Sequence, residues 1–542
     1  MGMMLRAALL IVLSVADVAA QPAPSELRFC LRTDPRTFDP LLAAEEASET
    51  LRYLTGGVLI RFNRNTQKLE PELAVSWKLL DGGKRIDFVL RDKVLFSDGT
   101  PFEAEDVVAT VRRMADPGLH SAIADSFRSG AGQVRAQADG PHRVSLFFAA
   151  PVTGLELLFD QLAISSFESK SPQKAVLGPF MLADHKSGQF VLLRRNPHYW
   201  KTDGTGKRLP YLDSIRLDIQ ANRETELLRF RRGQLHLVDK LEPEMFERLR
   251  KETPAAVLDA GASLDSEFLW FNQVPNGPLP AHKRRWFQSK LFRRALSAVI
   301  QRDDMVRLVY RGYAHPAAGP VSGSNKFWFN SRLRPQPYDP KEALRLLTQD
   351  GFRLEGQILR DREGNPVEFS LITNAGSKTR TQLGTMLQQD FRKIGIQMSF
   401  APLEFQSLIA RIMQTQEYEA CLLGLTNMEL DPLGQMNVWL SSSTHHAWNP
   451  GQKTPSTSWE AEIDRLMRAQ ATALDRQARK KAFDRVQEIV TEEAPILYLV
   501  NPDVLVAVSP FVRNAAPSVL PPHVHWNIEH LWLAGRAQRE GH

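Results

Sequence analysis

The chain has 542 residues, of which 43% are hydrophobic, 24% charged and 8% aromatic, a globular mixture that excludes disordered, collagenous and coiled-coil classes. Its 68 basic and 62 acidic residues leave a formal charge of +6 spread along the chain, unlike the concentrated basic face of a nucleic-acid binder. Two cysteines are too few for a disulfide framework, and past the N-terminus no apolar run reaches the roughly 18 residues that a membrane helix needs.

Residues 1 to 20 set Arg6 before the apolar run Ala7-Ala8-Leu9-Leu10-Ile11-Val12-Leu13 and end on Val18-Ala19-Ala20, the pattern of a secretory signal peptide cut after Ala20. No cysteine follows the small-residue box, so the expected product is exported and soluble. Leu27 to Leu31 reads as a strand, and the loop Thr33 to Pro40, with Pro35 and Pro40, cannot be helical. Arg85 to Leu90 alternates like a half-buried strand, and Asp98-Gly99 marks a turn. Acidic Glu103, Glu105 and Asp106 favour the positive end of a helix that runs on through Val111 and stops at Asp116-Pro117-Gly118.

Amphipathic spacing predicts further helices near 223–232, 291–310, 340–349, 378–394, 457–470 and 475–492. Strand-like runs at 190–194, 214–219, 367–373, 396–400, 418–425 and 496–507 interleave with them, so the class is α/β. Cys30 and Cys421 sit in strand-like apolar contexts and are expected to be buried free thiols. The run His282 to Arg285 reads as a solvated turn before a helix starting near Ser289, and Asn437 to Pro450 as a polar connection whose serines and tryptophans could alternatively close over a ligand.

Four stretches, in order, resemble the family 5 extracellular solute-binding proteins, the peptide- and nickel-type receptors of ABC importers. They are Leu90 to Val108; Leu177-Gly178-Pro179-Phe180 with Leu192 to Trp200 and Pro210 to Asp213; Phe292 to Asp303 with Gly312-Tyr313-Ala314; and Tyr338 to Phe352. The resemblance implies a type II periplasmic-binding-protein-like fold: two α/β lobes with the ligand cleft between them, the first enlarged by an extra subdomain. On this reading residues 21–270 form lobe I with an insertion at about 61–180, residues 271–500 form lobe II, and residues 501–542 return to lobe I. It further implies a periplasmic monomer that delivers its solute to a separate permease and ATPase, with no nucleic-acid partner and no cofactor.

Peptide receptors of this family hold the ligand's ammonium with an aspartate after a Gly-Trp pair, because an ammonium out of water needs a paired carboxylate. Aligned on Gly424 and on Asp431-Pro432, the amine position here falls on Met428 and the tryptophan position on Leu425. Two readings stand: Glu429 or Asn427 anchors the amine after a local shift, or the ligand has no free ammonium there. The other expected cleft residues are Thr33 and Phe38 after the first strand, Trp270 and Asn272 at the first crossing, and Phe405 and Gln406 at the place of a ligand-stacking aromatic.

An oligopeptide or dipeptide-like solute is therefore the expected ligand, with a sugar, an opine-like compound or a metal chelate as alternatives. An exported hydrolase is the competing class. The chain has no Gly-x-Ser-x-Gly elbow and no His-Glu-x-x-His helix. Adjacent His445 and His446 cannot readily meet one ion, and His523 and His525, two apart on one strand face, are read as structural.

Overall fold

The computed structural model describes residues 25–534, apart from 120, 122, 124–126, 128–132, 152–153, 170–173, 426–429 and 444. The expected signal peptide and three expected site residues, Asn427, Met428 and Glu429, lie outside the described residues. In lobe I, strand Glu26–Leu31 pairs in parallel with Ser214–Ile219, and Phe190–Arg195 and Phe180–Lys186 extend the sheet antiparallel. Helix Glu46–Thr55 lays Ala47, Leu51 and Leu54 on one face of this sheet against Leu27, Phe29 and Leu31.

A second four-stranded sheet, Ala74–Leu80, Arg85–Leu90, Arg143–Phe148 and Val134–Ala138, is inserted between the first and later strands of lobe I. Helix Ala104–Ala115 closes its core with Val107, Val111 and Met114. This helix begins as its sequence predicts, with the Glu103 N–H donated to the Asp106 carboxylate at 2.8 Å, and ends before Asp116.

Charges buried between the insertion and lobe I are tolerated only because each finds a partner. Lys201 Nζ lies 2.7 Å from Glu72 and 2.9 Å from Glu529, while Arg64 donates to Asp160 at 2.6 Å. Burial alone would raise the Asp160 carboxyl, but Arg64 and Arg61 outweigh it and hold the group below its ordinary value. Burial pulls the Lys201 ammonium down, and Glu529 and Glu72 reverse this, lifting it to about 12.

Lobe II is built on strands Ser266–Phe271, Ala420–Leu425, Glu368–Asn374 and Gln397–Leu403. Its strands are apolar on both sides: Leu269 and Phe271 enter one core with Leu371 and Leu422, and Phe268 and Trp270 enter the other with Ile372 and Cys421. The expected helices at 340–349, 378–394, 457–470 and 475–492 appear as Pro340–Gln349, Lys378–Arg392, Ser458–Thr472 and Arg476–Glu493.

Four local expectations are corrected. The helix expected over 291–310 stops at Ala298 and resumes at Arg302. Tertiary partners claim the intervening backbone: Gln301 N–H donates to Asp390 at 3.0 Å, and the buried Arg302 guanidinium binds the carbonyls of Ser297 and Tyr498. The run His282 to Arg285 is no turn but belongs to helix Ala281–Gln288, anchored by buried Trp286 and Phe287. Residues 437–450 are not a solvated connection either, because Trp439 and Trp448 are buried and Ser441 is bound twice by Asp464. His523 and His525 lie in turns, not on a strand.

The thirteen-residue strand Ile496–Val508 serves both lobes. Its first part pairs antiparallel with Ser266–Phe271 of lobe II, and its last part with Val257–Ala262 and Leu237–Val238 of lobe I. Between them Ser263 N–H to Pro502 O (2.8 Å) and Asn501 Nδ2 to Asp265 O (2.9 Å) hold the crossing, and Ala314–Pro316 pairs antiparallel with residues 500–502.

Asp503 sits in this crossing with its side chain 4% exposed, and Oδ1 lies 3.3 Å from His315 Nε2 without hydrogen-bond alignment. Burial, then the negative charge of Asp259, push its carboxyl from 3.8 up to about 6, with His315 opposing. The folded chain thus holds this proton more tightly than the unfolded chain, and the stability it supplies is full below the ordinary value and lost as pH rises through the native one. Asp503→Asn is expected to stabilise the protein by about 1–2 kcal/mol near neutral pH and negligibly near pH 4. Urea unfolding at the two pH values checks this, and an equal effect at both would contradict it.

Candidate functional site

In open α/β sheets, ligands bind outside the carboxyl ends of the parallel strands, where loops and helix N-termini leave room and free N–H groups. In lobe I, Glu26–Leu31 and Ser214–Ile219 both end at one edge, where helices Glu46–Thr55 and Arg223–Arg231 begin. In lobe II, Glu368–Asn374, Gln397–Leu403 and Ala420–Leu425 run parallel and end at one edge, where Lys378–Arg392 and Phe405–Ala410 begin. Both edges border the crossing: Ser266 and Glu267 face Leu425 and Gly424 in lobe II, and in lobe I Leu241 N–H reaches Leu505 O beside Asp503.

Thr33 is exposed at the lobe I edge. Phe38 is half-buried against the lobe I core, with its ring edge-on to His185 at 4.9 Å. Phe405 opens its helix with 51% of its surface exposed, and Gln406 follows it, its N–H taken by Glu404 at 2.9 Å. These four stand at the carboxyl edges. Residues 426–429, which contain Asn427, Met428 and Glu429, directly follow the end of Ala420–Leu425.

Asp431 is placed differently. It is buried, its Oδ2 accepts from Arg479 Nη1 at 2.9 Å, its other oxygen accepts from Arg479 Nη2, and the Leu433 N–H donates to it at 2.9 Å. Gly154 of the insertion closes over the pair, since a Cβ there would stand 2.8 Å from Asp431 Oδ2. Leu430 meanwhile packs near Leu157 and Phe62 of the insertion, so the chain after residue 429 ties lobe II to lobe I.

Trp270 and Asn272 lie at the opposite end of lobe II from the carboxyl edge. Ser266–Phe271 runs antiparallel to Ala420–Leu425, so Phe271 faces Ala420, the start of its neighbour. There Trp270 Nε1 donates to the Tyr418 hydroxyl at 3.0 Å, and Asn272 Nδ2 donates to the carbonyls of Gln416 (2.8 Å) and Tyr418 (3.0 Å). Their polar groups are spent on lobe II itself.

The same strand brings Glu267 to the carboxyl edge, which sequence reasoning passed over. Arg380 Nε donates to Glu267 Oε2 at 2.8 Å, Nη2 to Oε1 at 3.2 Å, and Nη1 to Asn374 at 2.7 Å. Burial raises the Glu267 carboxyl, and Arg380 pulls against that shift. A Cβ on Gly424 would stand 2.5 Å from Arg380 Nη2 and 2.9 Å from Glu267 Oε1, so glycine is what admits the pair. Two sequence signals mark it: a carboxylate inside an otherwise apolar strand, and an arginine in the first turn of a helix, where the dipole disfavours a cation.

Residues 68–446 match the family model for bacterial extracellular solute-binding proteins, family 5, middle region. The chain belongs to that family. An oligopeptide-binding protein of Bacillus subtilis, AppA, is 23% identical over 92% of this chain and 90% of its own length. Heme-binding protein A of Haemophilus influenzae is also 23% identical, over 90% of this chain and 89% of its own. Among solved structures, NikA from Brucella suis in complex with Fe(III)-EDTA superposes with a TM-score of 0.78 at 21% identity, covering 94% of this chain and all of that one. The B. subtilis AppA complex with a nonapeptide gives 0.68 at 21%, covering 94% and 99%. These neighbours share the two-lobed fold.

Among the described residues, no helix is long and apolar enough to cross a membrane, and no group of three His, Cys, Asp or Glu side chains is placed to hold a metal ion. Cys30 and Cys421 are unpaired. Cys421 is buried as expected, whereas Cys30 is half-buried, with burial pushing its thiol up to about 12.

Arg479→Met leaves the Asp431 carboxylate buried without its partner and is expected to cost about 3 kcal/mol or more. Denaturant unfolding measures this, and a loss below about 1 kcal/mol would show that Asp431 is not held as an internal charge pair.

Proposed function

We propose that this solute-binding protein is the exported receptor of an ABC importer, enclosing a peptide-sized solute between its lobes in the periplasm and presenting the closed form to a membrane permease and its ATPase. The observation that carries the reading is the shared strand Ile496–Val508, on either side of which the carboxyl edges of both lobes open. Closure about a crossing of this kind is a hinge motion, and the ligand's preference for the closed form supplies its driving force. Thr33 and Phe38 form the lobe I wall, and Phe405 and Gln406 the lobe II wall; Asn427, Met428 and Glu429 follow the end of Ala420–Leu425 in sequence. Trp270 and Asn272 shape lobe II from behind, and Asp431 fixes the end of the segment that carries Glu429.

The relatives' names cover an oligopeptide and heme, and a solved neighbour holds Fe(III)-EDTA, so the fold admits more than one solute class. Met428 at the amine position favours a second reading, in which a non-peptide solute occupies the same cleft. Native mass spectrometry of the gently purified exported protein, followed by denaturing release, identifies what it carries. Recovery of one peptide per chain is the expected result; a sugar, opine-like compound or chelate moves the ligand to the second reading; protein that is empty and binds nothing contradicts the receptor. With a peptide in hand, Glu429→Gln is expected to weaken binding by about tenfold or more if Glu429 holds the amine, the size of a lost charge-assisted hydrogen bond. Unchanged affinity by calorimetry removes that role.

A further inference from the structure

At the carboxyl edge of lobe I, beside Thr33, lies a cavity of about 310 Å³. Its lining includes Glu45, Glu46, Glu226 and Asp239 against the two cations Arg32 and Arg223. Arg223 is already committed: it pairs with Glu226 and donates to the carbonyls of Asp239 (2.6 Å) and Lys240 (2.8 Å). Glu45 spends its oxygens on N–H groups, among them those of Ala47 at 2.6 Å and Arg36 at 3.1 Å. Among the described residues, the Glu46 carboxylate has Lys240 alone, at 3.7 Å, and the Asp239 side chain takes the Lys240 N–H alone, at 3.0 Å. After internal pairing the cavity keeps an excess of negative charge.

The apolar wall is aromatic. Phe29 and His525 stack with ring centroids 4.5 Å apart and planes 21° from parallel. The His525 imidazole is 93% buried, and its Nδ1 has no hydrogen-bond partner among the described residues. Burial lowers its proton affinity, with Asp239 and Glu46 opposing, so near neutral pH the ring is uncharged. A buried ring nitrogen without a partner carries a desolvation cost, and the same cavity is lined by the solvent-reached carboxylate of Glu46 and the partly buried one of Asp239.

We infer that this cavity is the subsite for a cationic group of the solute, a primary ammonium or a guanidinium on an alkyl chain. The inference rests on the receptor reading above. The cavity's size suits one such chain rather than a whole solute. Carboxylates on Glu46 and Asp239 meet the charge, and the Phe29–His525 stack covers the alkyl stem. It also gives a place for positive charge in a chain whose lobe II has methionine where a carboxylate is expected.

The test uses the full mature protein freed of bound solute. Calorimetry compares the dipeptides Lys-Ala and Arg-Ala with Ala-Ala and Glu-Ala, in wild type and in the double variant Asp239→Asn/Glu46→Gln, whose folding is checked by circular dichroism. Wild type is expected to prefer the basic dipeptides by about tenfold or more, and the double variant by less than about threefold. Equal binding of Glu-Ala and Lys-Ala, or an undiminished preference in the variant, overturns the subsite. Should no dipeptide bind, agmatine is titrated while the His525 imidazole is followed by nitrogen NMR. A shift in wild type that is absent from Asp239→Asn supports the cation subsite even if peptide transport fails as a reading, and no shift overturns it.

Discussion

The antiparallel pairing of one long strand with segments of both lobes is the constraint on which the rest of the structure depends. Ile496–Val508 satisfies its backbone groups in lobe II over its first half and in lobe I over its second. A strand cannot slip by one residue without turning every side chain to the other face, so both lobes are fixed in register on one strand, and their sheets meet near Ser263 and Pro502, where Ala314–Pro316 also pairs with it. That stretch carries Asp503, a carboxylate short of hydrogen-bond partners, and the carboxyl edges of both lobes open beside it. The carboxyl edges and the crossing between the lobes thus lie side by side.

Charge is handled differently on the two sides of lobe I. Between the insertion and the main sheet, Arg61, Arg64, Asp160, Glu72, Lys201 and Glu529 neutralise one another, and Tyr199 donates to Glu529 at 3.1 Å. Arg479 and Asp431 do the same in lobe II. At the carboxyl edges, among the described residues, the lobe I cavity beside Thr33 has more carboxylates than cations, while in lobe II Arg380 and Glu267 hold each other.

Much of this fold was legible in the sequence because local signals agreed with tertiary demands. Asp339 before Pro340 is a helix start by side-chain capping and by fixed backbone angle, and the helix begins there, with Asp339 accepting from Glu342 N–H at 2.9 Å. Where the signals conflicted, tertiary contacts won. The pattern from 291 to 310 is helical by spacing, but the carbonyl of Tyr498 and the carboxylate of Asp390 draw Arg302 and Gln301 out of line. For the site, the loops after parallel strands were legible, since Thr33 and Phe405 stand where such loops must be. Trp270 and Asn272 were not, because periodicity says which face a residue takes and nothing about which end of its strand borders the other lobe. Glu267, three residues before Trp270, is at the right end for that reason alone.

Hinge closure about a solute is the central claim, and small-angle X-ray scattering tests it most directly. Protein stripped of its solute is compared with the same sample after the released solute is added back. A smaller radius of gyration on addition, saturating at one solute per chain, is the predicted result. An unchanged radius of gyration at saturation, with binding confirmed in the same sample, would contradict closure of the two lobes about the shared strand.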